Sequence, residues 1–312
     1  MADRVLVTGA AGYIGSVLVP TLLDAGLEVT ALDLYERDGA ELAASCANPN
    51  FTPVRGNVRD TALVDRLLAK ADVIIPLAAL VGAPLCKRNP ETATAVNREA
   101  VEALAKRVSK NQMLLFPTTN SGYGIGEAGK ECTEESPLRP ISLYGVDKVA
   151  AEKAILDSGN GITLRLATVF GMSPRMRVDL LVNDMTLRAV TDKAVVLFES
   201  HFKRNYIHVR DVAKTFLFGI QNYKRLNNQA FNVGLSDANL SKLELCQAIQ
   251  KHVPGFVFLD APIGEDPDKR DYIVSNAKLE KQGWRPQHSL DQGIAELVKA
   301  YTMLNTRRFA NV

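Results

Sequence analysis

The chain has 312 residues, 46% of them hydrophobic and 23% charged, which allows one large or two modest domains with a substantial core. Its 37 Lys and Arg against 35 Asp and Glu give a net charge of +2 with no long basic block, so nothing supports a nucleic-acid or membrane-surface partner. The start lacks a secretory-signal pattern, and two prolines interrupt the longest apolar run, 73–85. The four cysteines lack CxxC spacing and the four histidines lack ligand spacing. We therefore expect a soluble, cytoplasmic protein with reduced thiols and no metal site.

Short apolar runs alternate with longer segments of helical period through the first two-thirds of the chain. The predicted strands cover residues 4–8, 28–33, 72–75, 112–117 and 162–167. The segments between them carry apolar residues three and four apart, and they cover residues 13–25, 60–69, 91–109 and 144–157. This alternation predicts right-handed βαβ units around a parallel sheet, with a smaller α/β region formed by the later part of the chain.

A glycine-rich stretch, VLVTGAAGYIGSVLV, follows the first predicted strand. Gly9 suits a tight turn, Gly12 lets the backbone approach a pyrophosphate, and Gly15 lets the helix pack against the strand. The helix N-terminus offers free N–H groups to phosphates, and we assign the intervening Tyr13 and Ile14 to the same site. The G-x-x-G-x-x-G spacing is weak evidence by itself, because an ordinary strand-to-helix turn has the same composition.

Asp33 strengthens this interpretation because it closes the second predicted strand, 18 residues after Gly15. A carboxylate there accepts from a ribose 2′-OH and repels a 2′-phosphate, which favours NAD over NADP. Arg37, four residues on, leaves NADP open. Further cofactor contacts are expected at the ends of two later strands, from residues Asn57, Val58, Leu77, Ala78 and Ala79, with Val81 nearby on the substrate side.

Tyr144 and Lys148 lie four apart on a predicted helix, so their side chains share one face. An ammonium beside a tyrosine stabilises tyrosinate, which can then remove a proton from a sugar hydroxyl. A surface pair at this spacing is common by chance. The order of glycine loop, strand-end hydroxyls and Tyr-x-x-x-Lys makes the catalytic interpretation the better one.

In their combination, these motifs resemble the extended short-chain dehydrogenases/reductases that act on nucleotide sugars, the NAD-dependent epimerase/dehydratase family. The resemblance runs from residue 4 to about 300 and is carried by Thr8, the three glycines, Asp33 and the pair Tyr144 and Lys148, with the segments TTNSGYG, LRLATVFG and KRNYIHVRDVA. It implies a Rossmann-type doubly wound parallel sheet in residues 1–171 and 206–232. Residues 172–205 and 233–312 would form the nucleotide-sugar region.

The resemblance also implies catalytic and substrate-binding roles. Thr119 takes the hydroxyl position of the Ser/Thr-Tyr-Lys set and binds the reacting sugar oxygen. Similar sugar 4,6-dehydratases carry an Asp-Glu pair after that threonine, whereas this chain has Asn120 and Ser121, neither of which is an acid at neutral pH. We therefore predict oxidation of the sugar without loss of water. The expected substrate-binding residues are Val81, Asn120, Ser121, Thr168, Arg175, Arg177, Arg204 and Arg270, with solvated loop arginines as the alternative for Arg175 and Arg177.

Five segments, among them LAALVGAPLCKRNP and GEDPDKRDY, are most similar to bacterial GDP-manno-heptose 4-dehydrogenases of surface-polysaccharide pathways. This resemblance implies NAD-dependent oxidation of the sugar at carbon 4. A nucleotide-sugar 4-epimerase, UDP- or GDP-linked, uses the same residues and stays open. A non-catalytic nucleotide-binding protein on the same fold is a third interpretation. The resemblance further implies a homodimer formed through helices 91–109 and 144–158.

Overall fold

The structure is a computed structural model that describes residues 3–36, 39–127, 129–261 and 270–304. The strands in chain order are β1 Arg4–Thr8, β2 Glu28–Asp33, β3 Phe51–Arg55, β4 Val73–Pro76, β5 Met113–Thr119, β6 Glu131–Cys132, β7 Ile162–Leu166, β8 Thr168–Phe170, β9 Ala194–Leu197, β10 Lys203–His208, β11 Gln229–Val233, β12 Asn239–Ser241, β13 Val257–Asp260 and β14 Ile273–Val274. The α-helices are α1 Gly15–Asp24, α2 Thr61–Leu68, α3 Ala83–Arg88, α4 Pro90–Thr94, α5 Ala100–Ala105, α6 Leu143–Asp157, α7 Leu181–Thr191, α8 Val209–Gln221, α9 Tyr223–Leu226, α10 Lys242–Gln250, α11 Ala277–Lys281 and α12 Leu290–Tyr301.

The chain forms two compact units. The first comprises residues 1–122, 140–165 and 213–231, and the second comprises residues 123–139, 166–212 and 232–312. A seven-stranded sheet of order β11-β7-β5-β4-β1-β2-β3 organises the first unit. The pairs β1 with β2, β1 with β4, β2 with β3 and β4 with β5 are all parallel, as expected when a helical segment separates successive strands.

The side chains of β5 show how helices cover both faces of this sheet. Leu114 and Phe116 belong to a buried cluster with residues of α2, α5 and α6. Leu115, between them in sequence, points to the other face, where its methyl group lies 2.6 Å from a Cβ placed on Gly219 of α8. The period of two in the strand therefore gives a helix–sheet–helix layering, and the predicted Rossmann-type fold is confirmed.

Element boundaries differ from the sequence predictions at a few places. Strands β1 and β2 have the predicted bounds, whereas the helix predicted over 91–109 is split into α4, a π-helical turn at Ala95–Glu99 and α5. In the second unit, β10 pairs antiparallel with β12 and parallel with β8, and two small parallel pairs, β13 with β9 and β14 with β6, complete its sheets. No helix in the described residues is long and apolar enough to cross a membrane.

Candidate active site

The turn between β1 and α1 has the tight geometry that the glycine spacing predicts. Gly9 has a φ of +68°, and a Cβ there would lie 2.6 Å from the backbone nitrogen of Ala78. A Cβ on Gly15 would lie 2.4 Å from the carbonyl oxygen of Ala10. A side chain at Gly15 would therefore meet the backbone that directly follows β1, which agrees with the close approach of helix and strand that the sequence suggested. The helix begins at Gly15, directly after this turn, and its N-terminal end carries the partial positive charge that favours phosphates.

Asp33 at the end of β2 is fixed against this turn by two backbone N–H groups. Its Oδ2 accepts from the nitrogen of Ala11 at 2.9 Å, and its Oδ1 accepts from the nitrogen of Tyr35 at 3.1 Å. Each carboxylate oxygen has a further lone pair with which to accept from a ribose hydroxyl. Arg37, the alternative ligand for a 2′-phosphate, lies outside the described residues.

The loop after β4 is held in place by a residue that the sequence analysis did not identify. The side chain of Asn97 accepts from the nitrogen of Leu80 at 2.8 Å and donates to the carbonyl oxygen of Leu80 at 2.9 Å. Asn97 is fully buried in the π-helical turn, and turns of this kind are frequent at functional sites. The only sequence signal for this role was a lone amide in an amphipathic helical segment. A second contact fixes the same loop to β1, since the nitrogen of Leu77 donates to the Thr8 carbonyl oxygen at 2.9 Å.

Some of the predicted cofactor residues meet in one cleft of the first unit. Val58 and Ala78 line it together with Thr8 and Pro76 from the strands, and residues of the π-helical turn and α5 form its other wall. Asn57 stands beside this cleft, but its Oδ1 accepts from the nitrogen of Arg59 at 2.9 Å and so shapes the start of the following turn. Recognition of adenine by Asn57 stays a prediction. Among the other predicted cofactor residues, Tyr13 is buried and Ile14 precedes the first turn of α1, whereas Leu77 and Ala79 flank Ala78.

At the end of β5, the three residues Thr119, Asn120 and Ser121 differ sharply in their hydrogen bonding. The Thr119 hydroxyl donates to the Ser121 Oγ at 3.0 Å and accepts from the Ser121 nitrogen at 3.1 Å. Asn120 is 1% exposed, and within the described part of the chain neither its Nδ2 nor its Oδ1 has a hydrogen-bond partner. The strand thus ends in a neutral, largely buried polar group with no carboxylate.

Helix α6 carries the predicted pair of Tyr144 and Lys148. Ser142 caps the helix by accepting from the nitrogen of Gly145 at 3.2 Å, which places Tyr144 in the first turn, where it is half-buried. Lys148 is buried, with its Nζ 4.1 Å from the ring centroid of Phe116 in β5. Burial lowers the pKa of Lys148 to about 7, against a smaller opposing effect of the Glu152 charge.

The predicted substrate-binding arginines occupy the second unit and differ in how firmly they are held. Arg177 makes a two-pronged ion pair with Asp179, in which the bond from the Arg177 Nε measures 3.0 Å, and Arg175 donates to the carbonyl oxygen of Met176 at 2.8 Å. Both guanidinium groups are thus bonded within their own loop, and their contact with a substrate stays a prediction. Arg204 is 4% exposed, lies 5.7 Å from the ring centroid of Tyr272 and donates to the Lys203 carbonyl oxygen at 2.9 Å.

The remaining predicted substrate residues are less constrained by the structure. Thr168 begins β8, where it is paired in register with Tyr206. Arg270 is half-buried, and Val81 lies in the loop that Asn97 holds. Their contacts with a substrate stay a prediction.

The residues of the first unit fit NAD chemically. A tight turn that tolerates no side chain at Gly9 or Gly15 leads into the N-terminus of α1, a position that favours phosphates, Asp33 presents acceptor oxygens for a ribose, and the amine of Lys148 adds a donor.

Comparison with known proteins identifies the family of this chain and proteins of similar sequence and fold. The NAD dependent epimerase/dehydratase family matches residues 5–234. A UDP-glucose 4-epimerase of Mycolicibacterium smegmatis is 31% identical, covering 96% of this chain and 98% of that protein. The low-salt glycan biosynthesis protein Agl12 of Haloferax volcanii is 29% identical over 95% of this chain and 98% of that protein. Among solved structures, the UDP-glucose 4-epimerase of Thermus thermophilus in complex with NAD has a TM-score of 0.79 and 26% identity, covering 96% of this chain and 99% of that one.

Proposed function

Since the chain belongs to the NAD dependent epimerase/dehydratase family and uses NAD as its cofactor, we propose that it oxidises a nucleotide sugar at carbon 4 without eliminating water. The observation that carries this proposal is the neutral end of β5, where the Thr119 hydroxyl is bonded to Ser121 and is followed by the uncharged Asn120. The first unit would hold the cofactor and the second the substrate's nucleotide.

The proposed chemistry divides the work among three side chains of the first unit. Tyr144, as tyrosinate, takes the proton of the hydroxyl on carbon 4. Thr119 hydrogen-bonds the same oxygen and positions it. Lys148, four residues after Tyr144 on the same face of α6, stabilises the tyrosinate electrostatically when protonated. NAD, when bound, accepts the hydride from carbon 4, so that the sugar becomes a 4-ketone.

Elimination of water requires a further acid and base beside the sugar. Asn120 and Ser121 occupy the two positions after Thr119, and neither side chain ionises at neutral pH. The 4-keto sugar would therefore leave with all its other oxygens in place.

The proposed substrate is GDP-manno-heptose, on the basis of the resemblance to GDP-manno-heptose 4-dehydrogenases described above. Arg204 is the proposed ligand of the diphosphate, because a buried guanidinium in a fixed position binds phosphate oxygens in a bidentate way. Arg177 has to leave Asp179 before it can contribute. We retain a cytoplasmic homodimer as an expectation.

A nucleotide-sugar 4-epimerase is the second candidate, favoured by relatives named UDP-glucose 4-epimerase. It uses the same oxidation by Tyr144, Lys148 and Thr119, followed by return of the hydride to the opposite face of the ketone. The two functions differ in the product and not in the catalytic residues.

The test is the mass of GDP-manno-heptose after incubation with the purified protein and NAD, with pyruvate and lactate dehydrogenase present to reoxidise NADH. Loss of two hydrogens, or the corresponding hydrate, supports the dehydrogenase. An unchanged mass with an inverted carbon 4 in the NMR spectrum supports the epimerase, for which UDP-glucose is assayed in parallel. If Tyr144→Phe retained full turnover, the catalytic assignment would be wrong.

A further inference from the structure

Asn120 has an unusual position for a primary amide. It is 1% exposed, yet both its Nδ2 and its Oδ1 lack a hydrogen-bond partner. Leaving a buried donor or acceptor unpaired costs free energy, and nearly all such groups in proteins are paired. The described part of the chain therefore lacks the group that would satisfy this amide.

The surroundings of Asn120 place it beside the proposed reaction. It is the first residue of a short turn, Asn120–Tyr123, that follows the last residue of β5, Thr119. The next residue, Ser121, has its carbonyl oxygen 3.6 Å from a Cβ placed on Gly145, so the turn abuts the first turn of α6, next to Tyr144. Ligands of open α/β sheets bind at the carboxyl ends of the strands, where this turn lies.

The chemistry of the Asn120 amide limits which ligand groups can pair with its donors and acceptor. Its oxygen needs a donor and its NH₂ group needs an acceptor. A sugar hydroxyl supplies both, whereas a deoxygenated carbon supplies neither and a carboxylate supplies no donor. A ligand with a hydroxyl at this point can pair with the amide oxygen and with one of the two N–H groups.

We propose that Asn120 determines the specificity of this site by hydrogen-bonding the hydroxyl on carbon 3 or carbon 6 of the sugar. These hydroxyls flank the oxygen on carbon 4 that Thr119 is assigned to bind. The enzyme thereby selects sugars with a neutral hydroxyl at that position over deoxy sugars and uronates. This inference rests on the proposed oxidation at carbon 4.

Binding measurements test this role without requiring turnover. The full chain saturated with NAD is titrated calorimetrically with GDP-mannose and with its 3-deoxy and 6-deoxy analogues. We expect the wild type to bind GDP-mannose roughly tenfold or more tightly than one of the two analogues, because that analogue leaves the buried amide unpaired. Asn120→Leu, which keeps the branched four-atom skeleton and has no polar atom, should remove this discrimination.

A matched control separates this role from a general effect of buried polar atoms. Thr163→Val removes another fully buried hydroxyl without a partner, in β7 of the same unit, and should leave the discrimination intact. If Asn120→Leu does not fold, Asn120→Ala takes its place with the same expectation. UDP-glucose and its 3-deoxy and 6-deoxy analogues are titrated in parallel, so that a wrong nucleotide is not mistaken for a wrong residue.

Several outcomes would overturn the proposal. The proposal is wrong if the Asn120 variants still distinguish the parent sugar from its deoxy analogues. It is also wrong if the wild type binds all three sugars of a series with equal affinity. If the variants changed only the melting temperature or the affinity for NAD, the amide would serve a buried water or the cofactor instead. NAD reduction is followed in the same mixtures and with GDP-manno-heptose: binding with discrimination but without NAD reduction by any of these sugars refutes the proposed net oxidation alone, and absence of binding in both series refutes the role of Asn120 together with the nucleotide-sugar function.

Discussion

Replacing Lys148 by methionine should stabilise the fold while abolishing activity. The amine is buried, and burial lowers its pKa from the ordinary value of 10.5 to about 7. At 1.36 kcal/mol per pKa unit, this difference of about 3.5 corresponds to roughly 5 kcal/mol of destabilisation when the amine is charged in both the folded and unfolded states. This shift is the net difference between the two protonation states, so the expected gain from Lys148→Met at or below pH 7 is roughly 5 kcal/mol.

The effect of Lys148→Met on the free energy of unfolding should depend on pH. Below pH 7 the lysine is protonated in both states, and the full cost is present. Between pH 7 and 10.5 the folded protein holds a neutral amine while the unfolded chain still binds the proton, so the stability of the wild type rises with pH. The advantage of Lys148→Met should therefore be largest at or below pH 7 and vanish near pH 10.5.

Urea unfolding at pH 6, 8 and 10, on protein freed of nucleotide, measures the free energy of unfolding of both forms. The control is Lys153→Met on the same helix, whose side chain is 73% exposed and paired only with Asp157 at the surface, so it should change stability by under about 1 kcal/mol. Wild-type and Lys148→Met stability curves that run parallel across this pH range would refute the reasoning.

Three further predictions concern the first unit. Asp33→Asn should lower the ratio of kcat/KM for NAD over NADP by about tenfold or more, because it removes the charge that repels a 2′-phosphate; an unchanged ratio would assign the preference elsewhere. Gly9→Ala should cost more than about 2 kcal/mol of unfolding free energy, because a φ of +68° is strained for alanine and the added Cβ would meet backbone at 2.6 Å. The control Gly26→Ala, at a φ of +82° in open space, should cost about 1 kcal/mol. Equal melting temperatures of the two variants would contradict this prediction. Glu152→Gln should cost about 3–5 kcal/mol in urea unfolding because it leaves the buried Arg165 guanidinium without its counter-charge, and a loss under 1 kcal/mol would mean that the pair contributes little.

The sheet was predictable from the sequence because short apolar runs, typical of buried strands, alternate with segments whose apolar residues recur three and four apart, as in helices. Strands β1 and β2 have the predicted bounds, since each is a short apolar run next to a glycine or aspartate that ends it. The π-helical turn at Ala95–Glu99 was not predictable, because its apolar spacing predicts one continuous helix over 91–109. The amide of Asn97 reaches both backbone groups of Leu80 from this turn, and that tertiary contact has no local signal in the sequence.

The candidate site was predictable by residue type but not by environment. Arg177 was expected to be available for phosphate or solvated, and the structure pairs it with Asp179 two residues later. Sequence spacing cannot decide between these states, because a loop arginine reaches an aspartate, a ligand or water with equal ease. Lys148 was expected as an ammonium beside tyrosine, and only the packing of α6 on Phe116 reveals how far its pKa falls.

The buried polar groups around α6 and β5 differ in whether a neighbouring group compensates them. Glu152 is compensated by Arg165 at 2.6 Å, and the buried Asp147 accepts from the Thr94 hydroxyl at 3.2 Å. The Lys148 amine lies over the face of an aromatic ring, and the amide of Asn120 has no hydrogen-bond partner among the described residues. Both of these groups lie within the proposed catalytic set or next to it. Missing compensation alone does not mark a functional site, since Thr163 in β7 also lacks a partner. Natural sequences nevertheless often place unfavourable groups where a ligand supplies what the fold lacks, so the position of Lys148 and Asn120 within or next to the proposed catalytic set supports this end of the sheet as the place of reaction.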